Sequence, residues 1–118
     1  MSLVLIIATD GCVVANVFIA VADYARAPFV LANFAEVRFL PPTALPYLAT
    51  LKLAGAIGLL VGLLGVRWLG LAAGVGLTAF FVGAVLTHVR ARVFHNIAVP
   101  GGYLLLAVAA ASFFVSKP

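Results

Sequence analysis

Charged side chains are scarce in this sequence: three acidic and seven basic residues among 118, or 8%, against 66% hydrophobic. A domain bathed in water on all sides carries about 25% charged residues. This chain cannot cover itself with polar surface, which excludes a water-soluble fold. Its positive charges are thinly spread and no basic stripe alternates with aromatics, which excludes a nucleic-acid partner. Cys12 is the single cysteine, so no intrachain disulfide or cysteine metal cage can form. Flanked by Gly11 and Val13, it reads as a packing residue. Catalytic signatures are lacking too: there is no Ser-x-x-Lys, no nucleophile elbow, no Cys-x-x-Cys, no phosphate-binding glycine loop and no His-Glu-x-x-His. No catalytic residue can therefore be assigned. His88 and His95 raise haem or a metal, but no third or fourth ligand accompanies them. No metal site is expected and haem is disfavoured.

What the sequence does have is long apolar runs. Residues 50–92 hold two of them, hinged at Val66-Arg67-Trp68, and about twenty uncharged residues separate Arg67 from His88. At 1.5 Å per residue that is roughly 30 Å of helix, the thickness of a bilayer's hydrocarbon core. Four such spans are expected, at about 3–22, 43–66, 68–87 and 97–115, in one domain over residues 1–118. Their short connections predict an all-α transmembrane antiparallel four-helix bundle, running up and down. The first run lacks a basic leading region, carries Asp10 and offers no clear cleavage site, so a retained helix is expected rather than a signal peptide.

Between the first two spans, residues 24–42 are punctuated by Pro28 and Pro41-Pro42. Aromatics, Phe39 among them, mix there with Asn33, Glu36 and Arg38. Too short and too charged to cross, this stretch predicts a short interfacial segment. Gly55, Gly58, Gly62 and Gly65 step by three and four, and Gly70 and Gly74 by four; Gly76 and Gly83 are seven apart. Such spacings predict faces on which helix backbones lie close. Arg26, Arg38, Arg90 and Arg92 fall on the side of the first and third loops, and Arg67 and Lys117 on the other. The positive-inside rule then puts loops 24–42 and 88–96 in the cytoplasm and both termini outside.

Polar groups inside the spans are few. Thr9, Asn16 and Asp23 recur every seven residues and share one helix face, with Asp10 about 100° away. Lys52 stands at the edge of the glycine face of the second span. Antiparallel threading brings Asn16, Asp23, Lys52, His88 and Arg90 to one half of the bundle, with Asp10 a second candidate partner for Lys52. This set reads in two ways: a polar pocket for a ligand head such as a quinone carbonyl or a lipid headgroup, or mutual satisfaction that fixes helix register.

The runs Leu51-Lys52-Leu-Ala-Gly55-Ala-Ile-Gly58, Arg67-Trp68-Leu-Gly-Leu-Ala and Phe81-Val-Gly83-Ala84-Val-Leu-Thr-His88-Val-Arg90 resemble the DoxX-like family of small bacterial membrane proteins. The likeness covers about residues 45–115. Where members usually carry an acidic residue soon after the His-x-Arg element, this chain has Val93 and Phe94. The resemblance implies a four-span inner-membrane protein of bacteria. It also implies association with a quinone-linked or other redox membrane assembly, and it places Lys52 and His88 on recurring motif positions. The leading expectation is a non-catalytic subunit or anchor of such an assembly that holds a quinone or lipid. Membrane lipids, partner subunits of an oxidoreductase complex and further copies of the chain are the expected partners. The alternatives are an oxidoreductase or isomerase acting on a hydrophobic substrate, and a small transporter.

Overall fold

A computed structural model of the chain describes residues 2–38 and 40–116. The described residues are helical, without strands: α1 (Ser2–Tyr24), α2 (Pro28–Val37), a 3-10 turn (Pro42–Ala44), α3 (Leu45–Leu63), α4 (Arg67–Ala91) and α5 (Ala98–Ser116). α1, α3, α4 and α5 are each long and apolar enough to cross a membrane. The long axis measures 43 Å, close to the ~40–45 Å of a bilayer with its headgroup regions.

Local chemistry sets the helix ends. Pro28 starts α2 and Pro46 lies in the first turn of α3, where a missing N–H costs nothing. Arg26, Arg38 and Arg92, each just beyond a helix end, adopt left-handed backbone angles with φ of 54°, 53° and 58°. For a residue with a Cβ this conformation costs roughly 1–2 kcal/mol. A cation at the carbonyl end of a helix offsets part of that. Gly65, with φ 132°, makes the tight turn from α3 to α4, a conformation that favours glycine.

Two boundaries differ from expectation. Arg67 is the first residue of α4 rather than part of a turn. Its side chain reaches across to the far end of α5, donating from Nε to Phe114 O at 2.8 Å and from Nη2 to Val115 O at 3.2 Å. These carbonyls lack intrahelical partners. α4 also continues four residues past Thr87, so His88 and Arg90 are helical rather than in a loop. His88 anchors this last turn through Nδ1 to Ala84 O, 2.9 Å away.

α1 packs against α3 and α5, and α4 packs against the same two helices. The seam between α3 and α4 is built on glycine. A Cβ on Gly62 would collide with the Gly70 backbone, one on Gly58 would come within 2.7 Å of Ala73 Cβ, and one on Gly55 would run into Leu77. Gly70 takes the ring of Phe114, and Gly74 lies against the Ala111 backbone on α5. Lipid is as apolar as leucine, so this closeness stabilises through van der Waals contact rather than removal from water. Cys12, Leu59, Phe81, Ala110 and Phe114 fill the centre, all buried. Gly76 and Gly83 do not share this role, since nothing lies within 4 Å of where their Cβ atoms would be. Outward, Val14, Phe18, Leu64, Trp68 and Leu105 are each more than 60% exposed, as lipid-facing residues should be.

The stretch between α1 and α3 holds α2, too short to span and stitched to the bundle by Val30, which is buried with Ala22 and Leu45. Phe39 and Lys117 lie outside the described residues.

Candidate functional site

Where the glycine seam ends, the helices part. A cavity of about 520 Å³ opens there, walled by α1, α3, α4 and α5 and covered by α2. Its surface is mainly apolar, with Phe29 and Phe34 from α2, Phe80 and Phe81 from α4, and Leu48 and Val99 beside them. Gly83 belongs to the wall, and its missing side chain leaves room. Val30, Asn33, Phe34 and Val37 of α2 follow the i, i+3, i+4, i+7 rule of an amphipathic helix and all face this space.

Two polar groupings interrupt the apolar wall. The first is an ion pair: Lys52 Nζ donates to Asp23 Oδ2 at 2.7 Å, with both residues buried, at 9% and 2% exposure. Asp23 lies in the last turn of α1, where the carbonyl end of the helix disfavours an anion. Lys52 supplies the countercharge and also sits 5.5 Å from the centre of the Phe80 ring, within cation–π range. A pair so placed roughly balances Coulomb gain against desolvation. It is not simply a source of stability.

The second grouping is a chain of three side chains on three segments. His88 Nε2 lies 3.0 Å from the Asn33 side-chain amide on α2, and that same amide atom lies 3.0 Å from the amide of Asn96, just before α5. Asn96 presents one further buried amide atom without a protein partner. Tyr103, also in the wall, donates through its hydroxyl to Ala15 O on α1 at 3.0 Å.

The residues singled out from sequence are thus distributed unevenly. Asp23, Lys52 and His88 meet at the cavity. Thr9, Asn16 and Asp23 are all buried along one face of α1. Asn16, however, bonds within its own helix, to Cys12 O at 2.9 Å, and the structure does not join it to Lys52. Asp10 is exposed on the outer side of α1, away from the ion pair. The short spacing from Lys52 to Asp23 decides between the two carboxylates: the lysine is already satisfied at its own depth. Asp23 is more deeply enclosed than a helix exit suggests, at 2% exposure with the Lys52 ammonium against it. Arg90 is exposed and donates to Arg38 O at 3.4 Å, tying the end of α4 to the end of α2. His95 pairs instead with Glu36 at 2.7 Å on the surface. Among the described residues no group of three or more His, Cys, Asp or Glu could hold a metal.

Asn33, Asn96, Phe80 and Tyr103 were not among the residues that spacing picked out. The heptad-like stripe within α2 marks Asn33 as inward-facing. Asn96 carries no comparable signal, since it sits in an irregular turn.

The profile of the DoxX-like family matches residues 7–110, from the first turns of α1 to the middle of α5. The chain belongs to the DoxX-like family. The matched region contains Asp23, Lys52, His88 and both asparagines of the amide chain. With four apolar helices of spanning length, the DoxX-like chain is a multi-pass membrane protein. No curated protein and no solved structure matches it.

Proposed function

We propose that this DoxX-like protein holds a hydrophobic molecule with a polar head, a quinone or a lipid, in the cavity beneath α2. It does so as a non-catalytic subunit of a redox-linked assembly in the bacterial plasma membrane. The observation that carries the reading is the cavity itself: an aromatic, mainly apolar space of about 520 Å³ with a few convergent polar groups, the ordinary constitution of a small-molecule site. A quinone ring suits this lining, in which Phe29, Phe34 and Phe80 are aromatic neighbours and Asn33, His88 and Asn96 are hydrogen-bonding side chains.

The bundle is read as antiparallel and as one domain. The pairing of Gly62 with Gly70, Gly58 with Ala73 and Gly55 with Leu77 supports opposite directions for α3 and α4. Arg26, Arg38, Arg90 and Arg92 gather at the cavity end and Arg67 lies at the other, which supports a cytoplasmic placement of loops 24–42 and 88–96. Open faces such as that around Gly76 leave room for partner subunits or further copies.

A second reading, an enzyme acting on a hydrophobic substrate, is favoured by one observation: Asp23, Lys52 and His88, all able to carry protons, line the same space. The test for both is purification in mild detergent followed by extraction and mass spectrometry of bound small molecules. Titration with a short-chain quinone and with a short-chain lipid completes it. A bound amphiphile near one per chain, displaced by either probe, is expected. Protein that carries none and binds neither overturns the proposal. Chemical conversion of a bound probe would favour the enzyme.

A further inference from the structure

The hydrogen bonds around His88 constrain what a ligand's head must offer. Nδ1 faces the carbonyl of Ala84 at 2.9 Å, and a carbonyl only accepts, so Nδ1 carries the proton. A neutral ring then has Nε2 as an acceptor, and the group 3.0 Å away on Asn33 must be the amide nitrogen rather than the oxygen. Amide nitrogen and oxygen are interchangeable in placement and are assigned from such networks. The same Asn33 atom faces Asn96 at 3.0 Å, so Asn96 turns its oxygen toward Asn33. The Asn96 atom left buried without a partner is therefore its NH₂, a donor pair. The reverse assignment requires an imidazolium. His88 is 4% exposed, and the carboxylate among the described cavity-lining residues, Asp23, is already taken by Lys52. A buried cation without a counter-ion is far costlier than one turned amide.

Resting on the reading of the cavity as a ligand site, we infer that Asn96 is the residue that reads the ligand's head. Its unmet N–H donates to a neutral oxygen acceptor, a carbonyl or hydroxyl, with Asn33 and His88 fixing the direction of that amide. A phosphate head is disfavoured, because the ammonium of Lys52 is neutralised by Asp23 within the same wall. An anion would then enter a low-dielectric space without a countercharge. The ligand class is thus a neutral, oxygen-headed hydrophobe rather than a phospholipid.

The discriminating variant is Asn96→Asp. It is nearly isosteric and keeps an oxygen that accepts from Asn33, so the bond between the two side chains survives the change. As a ligand group, however, it swaps a donor for an anionic acceptor. The measurement is calorimetric titration of detergent-solubilised wild type and variant with three probes: decylubiquinone, a monoacylglycerol, and dioctanoyl phosphatidylglycerol. Wild type is expected to bind at least one of the first two and to prefer it over the third by tenfold or more. Asn96→Asp is expected to lose about 10- to 100-fold for the neutral probe, measured below its melting temperature, which the new buried carboxylate is expected to lower. Wild-type affinity in Asn96→Asp overturns the inference and leaves the cavity's role standing, as does equal wild-type binding of the phospholipid. Should Asn96→Asp not fold, Asn33→Asp tests the same chain from its other end, with the same expected loss for the neutral probe. Wild type that binds none of the three sinks the proposed function together with this inference.

Discussion

The two halves of the bundle solve opposite problems with the same few residue types. At the Arg67 end, Gly62, Gly70 and Phe114 close the space between α3, α4 and α5 until no added Cβ fits. At the α2 end, Gly83 has nothing within 4 Å, and aromatic rings hold the helices apart around about 520 Å³. Glycine therefore does opposite work at the two ends: in the seam it admits a neighbouring backbone, and in the cavity wall it leaves a space. The difference lies in what the partner helix presents opposite each glycine. One end is the scaffold, and the other is where chemistry can enter.

Four substitutions break or sharpen that contrast. Lys52→Met should be the most damaging, costing about 3–5 kcal/mol by leaving the Asp23 carboxylate buried and unpaired. The double change Lys52→Met with Asp23→Asn should recover most of it, as read by thermal melting in detergent. If the single variant melts like wild type, Asp23 does not depend on Lys52 for its countercharge. Next, Gly62→Ala should cost about 1–3 kcal/mol, because the new methyl group meets the Gly70 backbone. Unchanged melting would show that the seam is looser than drawn. Gly83→Leu should instead leave the melting temperature within a few degrees and abolish binding of a short-chain quinone or lipid by filling the cavity. A large loss of stability there would erase the distinction between the two ends. The smallest effect is expected for Glu36→Gln. Its partner His95 is 63% exposed and its own side chain 43%, and such surface pairs contribute about 0–1 kcal/mol. A larger effect would mean that this contact holds α2 over the cavity.

Much of the scaffold could be read from the chain. The apolar runs and their lengths marked all four long helices, to within a few residues at each end except at α4. There, the helix runs on to Ala91, and the His88 side chain bonds back through Nδ1 to Ala84 O in that extra turn. The glycine spacings that matter, at Gly55, Gly58, Gly62, Gly70 and Gly74, were visible as small-residue periodicity. The same periodicity at Gly76 and Gly83 was silent about whether another helix would be there. Within the polar set, the seven-residue recurrence identified the buried face of α1. It could not choose between Asp10 and Asp23 as the partner of Lys52, because both lie within a few turns of a lysine whose side chain can lean either way.

By itself, then, the sequence determined the environment and the elements: too little charge for water, four apolar lengths matched to a bilayer, and glycine rows suited to close contact. Those are properties of single segments, set by composition and period. Tertiary structure alone decided that α2 folds back onto the bundle, seating Val30 on Ala22 and Leu45 and bringing Asn33 to His88 and Asn96. Residues 33, 88 and 96 come from three separate segments. Their meeting depends on the angle at which a ten-residue helix lies across the bundle, and no periodicity along the chain records that angle.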